Sequence, residues 1–137
     1  MNDNITERLA AAGFDVIGPF SDSGPTVSDV FHRVMNVEAQ PSEKIPRASA
    51  DAPHRVTESW KTRARNSGVL ASDDTFLAAG SLAYGWVHLR LTNSVNISAL
   101  QDPEGDLLFV SRSEDGRHAC AVSREGTDYW IIEADFS

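Results

Sequence analysis

Two hydrophobic periods divide the chain. Upstream of about residue 84 the apolar positions recur at helical spacing, and from Trp86 onward they alternate. Ile5, Leu9 and Ala12 fall on one helical face, behind an Asn4 cap with Glu7 three residues on. Gly13 stands where a helix C-cap glycine belongs. Phe14-Asp15-Val16-Ile17 predicts a short strand ended by Gly18-Pro19, and Ser21 to Pro25 a turn-rich loop. Val27, Val30, Phe31 and Val34 give the i, i+3, i+4, i+7 stripe of a second helix. It starts after Thr26, carries Asp29 in its first turn and stops near Val37. Residues 38–54, with Pro41, Pro46 and Pro53, read as a loop or surface excursion. A third helix is predicted over 55–66. A fourth spans 73–84, capped by Ser72, with Asp73 and Asp74 at its positive end and Phe76, Leu77 and Leu82 on its buried side.

The second half reads as strands. Val87, Leu89 and Leu91 alternate with Trp86, His88 and Arg90, and Val95, Ile97 and Ala99 make a second, weaker strand. Further strands are expected over 107–112, 118–123 and 129–136. Asp102-Pro103-Glu104-Gly105, Glu114-Asp115-Gly116 and Glu125-Gly126 supply the turns between them. The expected fold is α+β, one domain over 1–137, with the N-terminal helices packed on one face of a C-terminal antiparallel meander of about five strands. On the last strand Trp130, Ile132, Ala134 and Phe136 make the expected core side, and Tyr129 shares the other side with Ile131, Glu133 and Asp135.

Charge sharpens this layout. The chain has 137 residues and a net charge of −8. By segment the charge is −4 over 1–46, +3 over 47–65, −1 over 66–100 and −6 over 101–137. A basic helix is thus set against an acidic C-terminal sheet. Such a balance argues against a duplex-DNA or anionic-membrane binder and suits a protein that meets a basic partner. One cysteine excludes a disulfide framework or a multi-thiolate metal site within the chain. There is no apolar run of membrane-spanning length, and the N-terminus lacks the features of a signal peptide, so a cytoplasmic location is expected.

Candidate chemistry is sparse. His118 and Cys120 share a strand face, but at i, i+2 they lie roughly 6–7 Å apart, beyond hydrogen-bond reach. Cys120, between two alanines, reads as a packed residue. His32, His54, His88 and His118 form no metal-ligand spacing, and no phosphate-binding glycine loop is present. No catalytic residue, cofactor or metal is predicted. Binding candidates are of three kinds. In a meander the 102–105 and 124–127 turns share one end of the sheet. That end gathers Asp102, Glu104, Asp106, Glu125 and Asp128. Trp86, His88, Arg90 and Tyr129 compose an aromatic–arginine patch on one sheet face. The basic helix offers Arg55, Trp60, Lys61 and Arg65, with Arg63 alongside. Three roles are open to it: a solvated helix whose Trp60 packs inward, a contact with the acidic sheet or a second copy, or a nucleic-acid contact. The last is disfavoured by the overall charge.

Three closing segments carry a resemblance. They are Asp106-Leu-Leu-Phe-Val-Ser-Arg, Gly116-Arg-His-Ala-Cys-Ala-Val and Tyr129-Trp-Ile-Ile-Glu-Ala-Asp-Phe136. With the size, acidity and order of elements, this end resembles the small acidic α+β immunity proteins of bacterial toxin systems. The Trp-containing motif with an Asn-Gly loop that usually accompanies such strands is not found here, so no functional residue is carried over. The resemblance implies a non-enzymatic inhibitor that neutralises a basic protein, such as a toxin. Two other classes stand beside it. One is a small enzyme or ligand-binding domain with a pocket between the sheet and the 73–84 helix, lined by Tyr84, Trp86 and His88. The other is a phage or assembly protein that works as an oligomer.

Overall fold

The fold follows from a sheet that is apolar on both sides. The computed structural model describes residues 5–20, 24–34, 41–79, 86–100 and 107–136. In chain order the elements are α1 (Ile5–Ala11), β1 (Asp15–Phe20), α2 (Val27–Val34), β2 (Glu43–Pro46), α3 (Ala52–Ser67), β3 (Thr75–Ala79), β4 (Trp86–Arg90), a 3-10 turn (Ile97–Leu100), β5 (Leu108–Arg112), β6 (His118–Glu125) and β7 (Asp128–Asp135). The seven strands form one antiparallel sheet in the order β1-β4-β3-β5-β6-β7-β2.

Alternation sorts the strands' side chains into two layers. Phe76, Ala78, Val87, Leu89, Phe109, Cys120, Val122, Tyr129 and Ile131 face the larger core. Leu9 and Ala12 near α1, Val56, Trp60 and Ala64 of α3, and Ile97 and Leu100 complete it. Leu77, Ala79, Trp86, Val110, Ala119, Ala121 and Ile132 point the other way, under Val27, Val30 and Val34 of α2. The helices therefore divide between the two faces rather than sharing one. Among the described helices, α2 alone lies over the face of Trp130, Ile132, Ala134 and Phe136. The deeper core lies on the side of Tyr129 and Ile131.

Local chemistry explains the element ends. Thr26 and Asp29 start α2 as a reciprocal box: the Asp29 N–H donates to Thr26 Oγ1 at 3.1 Å, and the Thr26 N–H to Asp29 Oδ2 at 3.0 Å. α3 takes a proline in its first turn and ends at Gly68, whose φ of 93° is the left-handed cap conformation that glycine adopts without strain.

Four segments depart from the sequence reading. The first strand does not end at Gly18-Pro19 but runs on to Phe20 along the sheet edge, its register shifting between Val16 and Gly18. The predicted 73–84 helix is not formed over its described part, where Thr75–Ala79 is a fully buried central strand. Its acidic start is a tight turn: Asp74 has φ 69°, and Asp73 Oδ1 accepts from both the N–H and the hydroxyl of Thr75. The predicted strand at 95–99 gives way to the 3-10 turn, in which Asn96 Oδ1 accepts the Ser98 N–H and the Ile97 N–H reaches Thr57 Oγ1. The proline-containing stretch at 38–54 holds an edge strand, β2, and the beginning of α3. The edge position explains how Pro46 is accommodated there. Among the described residues the sheet thus has seven strands, not about five: the 95–99 strand drops out of the expected meander, and β1, β2 and β3 join it from upstream.

Candidate functional site

The basic helix is docked, and the charges of Lys61, Arg63 and Arg65 are answered from within the chain. Trp60 has no exposed surface, and its Nε1 donates to Ser111 Oγ at 3.1 Å. Lys61 pairs with Glu58 at 3.1 Å and Arg65 with Asp74 at 2.9 Å. Arg63 bridges Glu43 of β2 at 3.3 Å and Glu133 of β7 at 3.1 Å. Of the roles open to this helix, the structure supports an inward Trp60 combined with an intramolecular contact to the acidic sheet. Arg55 stays exposed, on the wall of an open groove of about 440 Å³ between α3 and Glu43. Sequence reasoning missed the bridging role of Arg63. The partner carboxylates lie twenty and seventy residues away, and no local pattern announces them.

The predicted aromatic–arginine patch is split. Trp86, His88 and Arg90 share a strand face, but Tyr129 lies on the opposite face and is buried in the larger core. Trp86 is also buried, its Nε1 donating to the Pro25 carbonyl at 2.9 Å. His88 is half-buried, with Nε2 2.5 Å from Glu114 Oε2 and the Phe20 ring edge-on at 5.4 Å. Arg90 is exposed and pairs with Asp15 at 3.5 Å.

Two of the five predicted acidic turn residues are described. Glu125 and Asp128 sit directly opposite each other where β6 turns into β7. Asp102, Glu104 and Asp106 lie outside the described residues. The chain does enter β5 at this end, because the Arg124 N–H donates to the Leu107 carbonyl at 3.0 Å. Glu125 accepts from Ser123 Oγ at 2.6 Å. No cation lies within 4 Å of either carboxylate among the described residues.

A broader pattern underlies that pair. Several carboxylates are satisfied by neighbouring hydroxyls and backbone N–H groups rather than by cations. The Ser49 hydroxyl holds the Asp51 carboxyl below the usual carboxylate range, as the Thr75 hydroxyl does for Asp73 and the Ser113 hydroxyl for Asp115. For Asp29 the larger cause is the Thr26 N–H, followed by the Thr26 hydroxyl. These groups stay ionised while leaving the charge balance negative.

Cys120 is fully buried, and burial pushes its thiol well above the ordinary range, with the nearby Glu133 carboxylate adding to the shift. A thiol reagent that reacts with it in denaturant should leave the folded protein unmodified. Reaction at comparable rates in both states would place Cys120 at the surface. His118, on the same strand face, lies 3.8 Å from Asp135 through Nδ1. Among the described residues no group of three or more His, Cys, Asp or Glu side chains is placed to hold a metal ion. No described helix is long and apolar enough to cross a membrane. Comparison with family models, curated proteins and solved structures finds no match.

Proposed function

We propose that this chain is a non-enzymatic binding protein that captures a basic protein, in the manner of an immunity or inhibitor protein. The observation that carries this reading is the Glu125–Asp128 pair. Like charges directly opposite one another on an antiparallel ladder repel, and among the described residues no cation lies within 4 Å of either carboxylate. A basic side chain from a partner would relieve that repulsion. The division of charge adds to it. Lys61, Arg63, Arg65 and Arg90 are engaged by carboxylates of the same chain. Meanwhile the hydroxyl-held carboxylates preserve a negative field that steers a basic protein toward the surface.

The test is kinetic and biological together. A partner encoded beside this chain should carry a basic surface, and co-expression should suppress its toxicity. The association rate should fall about tenfold between roughly 50 and 500 mM salt, as screening of a steered encounter requires. A salt-independent association rate, or a neighbouring gene product whose toxicity is unchanged by co-expression, would sink the proposal.

A further inference from the structure

We propose that the Trp130 ring, together with Glu125 and Asp128, seats a lysine or arginine side chain of the basic partner, and that Lys44 occupies this seat in the free protein. The inference rests on the reading above that the partner is basic, and it adds the place and the mode of contact. β6, β7 and β2 are neighbours at one edge of the sheet. Their register sets Ser123, Trp130 and Lys44 side by side in one row, with Glu125, Asp128 and Pro46 in the next row on the same face. Rows two residues apart are roughly 7 Å apart, a span within reach of one long cationic side chain.

The acidic pair alone would not mark a site; the occupied ring is the independent observation. Lys44 Nζ lies 5.1 Å from the centroid of the Trp130 ring. Lys44 is exposed and Trp130 half-buried. Although the chain carries a net charge of −8, Lys44 has no carboxylate within 4 Å among the described residues. Its ammonium is placed instead over an indole face, which attracts cations through the ring quadrupole. An exposed contact of this type is weak and exchangeable. A guanidinium from a partner would gain the same ring and also reach the two carboxylates, and arginine both stacks on aromatics and forks to carboxylates. The resident lysine therefore competes with the partner, and removing it should tighten binding.

Titration with a hexa-arginine peptide at low salt tests this. The variants are Lys44→Gln, Trp130→Leu and the double variant Glu125→Gln/Asp128→Asn. Arg117→Gln is the control, because Arg117 is exposed in the β5–β6 turn at the other end of the sheet and its loss changes the net charge equally. Binding should weaken about fivefold for Trp130→Leu and at least as much for the double variant. It should tighten about threefold for Lys44→Gln, and by less for Arg117→Gln. If Trp130→Leu fails to fold, the comparison of Lys44→Gln with Arg117→Gln decides. A peptide that binds the native protein but tightens equally for those two variants overturns the seat while leaving the basic-partner reading intact. A peptide that does not bind the native protein removes both.

Discussion

Replacing Trp60 by alanine should cost the fold about 3–5 kcal/mol, the range for truncating a fully buried large side chain. The indole is the hub of the larger core. Its ring centroid lies 5.2 Å from Phe76, 5.3 Å from Phe109 and 6.3 Å from Phe14, mostly in the edge-on arrangements that aromatic quadrupoles favour. Its Nε1–H also anchors a polar relay: Ser111 Oγ accepts it and donates to the Cys120 carbonyl at 2.5 Å. Alanine leaves a cavity in the middle of three phenyl rings. Phenylalanine keeps much of the volume and loses the hydrogen bond, so about 1–2 kcal/mol is expected for it. On the exposed side of the same helix, Arg55→Ala should stay within about 0.5 kcal/mol. Urea unfolding of the three variants checks the order. A Trp60→Ala variant within 1 kcal/mol of the native protein would put Trp60 at an interface rather than in the core.

That contrast along one helix shows what could be read from the residues. The apolar stripe of α2, the C-terminal end of α3 and the β6–β7 hairpin follow local rules: a threonine–aspartate box, a cap glycine, and alternation flanking a glycine turn. β3 does not. A central strand covered on both faces loses the polar alternation, and an apolar run as short as Phe76 to Ala79 looks the same as the buried side of a helix. With Ser72, Asp73 and Asp74 ahead of it, the run predicts a helix start. Period separates the two faces of β7, but ranking the Trp130 side as the core is overturned because both faces bury apolar groups: Tyr129 and Ile131 under α3, Ile132 under α2. β2 has no sequence signature, because a four-residue edge strand needs little apolar character and tolerates Pro46. Of the candidate site, the acidity of the β6–β7 end was legible in composition and turn spacing. The Lys44–Trp130 contact depends on a pairing between strands more than eighty residues apart and leaves no local trace.

Arg112 is the second residue whose loss should be severe. Its relative exposure is 1 %, and it lies where the segment preceding α2 meets the β5–β6 turn. Nε donates to the Ser113 carbonyl at 2.9 Å, Nη2 to the Glu114 carbonyl at 3.2 Å and Nη1 to the Pro25 carbonyl at 2.8 Å. Trp86 Nε1 donates to that same Pro25 oxygen, and the guanidinium lies 5.4 Å from the Trp86 ring centroid. Packing around the staple is close. A Cβ at Gly116 would stand 2.8 Å from Pro25 Cδ, and one at Gly24 would stand 3.1 Å from Arg112 Nη2. The arginine therefore ties the start of α2 to the sheet. Removing it takes the donor from the Ser113 and Glu114 carbonyls, at about 1–3 kcal/mol for each buried carbonyl left unpaired, while the Pro25 carbonyl keeps Trp86 Nε1. Arg112→Ala should lower stability by about 3–5 kcal/mol. Arg112→Lys should rescue little, because a single ammonium cannot reproduce the fork that reaches three carbonyls. The effect should also be local before it is global. Hydrogen exchange at the Val30 amide, which donates to the Thr26 carbonyl at 3.0 Å, should speed up in Arg112→Lys, while the β6–β7 ladder keeps its protection. Equal loss of protection in α2 and in that ladder would mean that Arg112 supports the sheet as a whole rather than the helix laid across its second face.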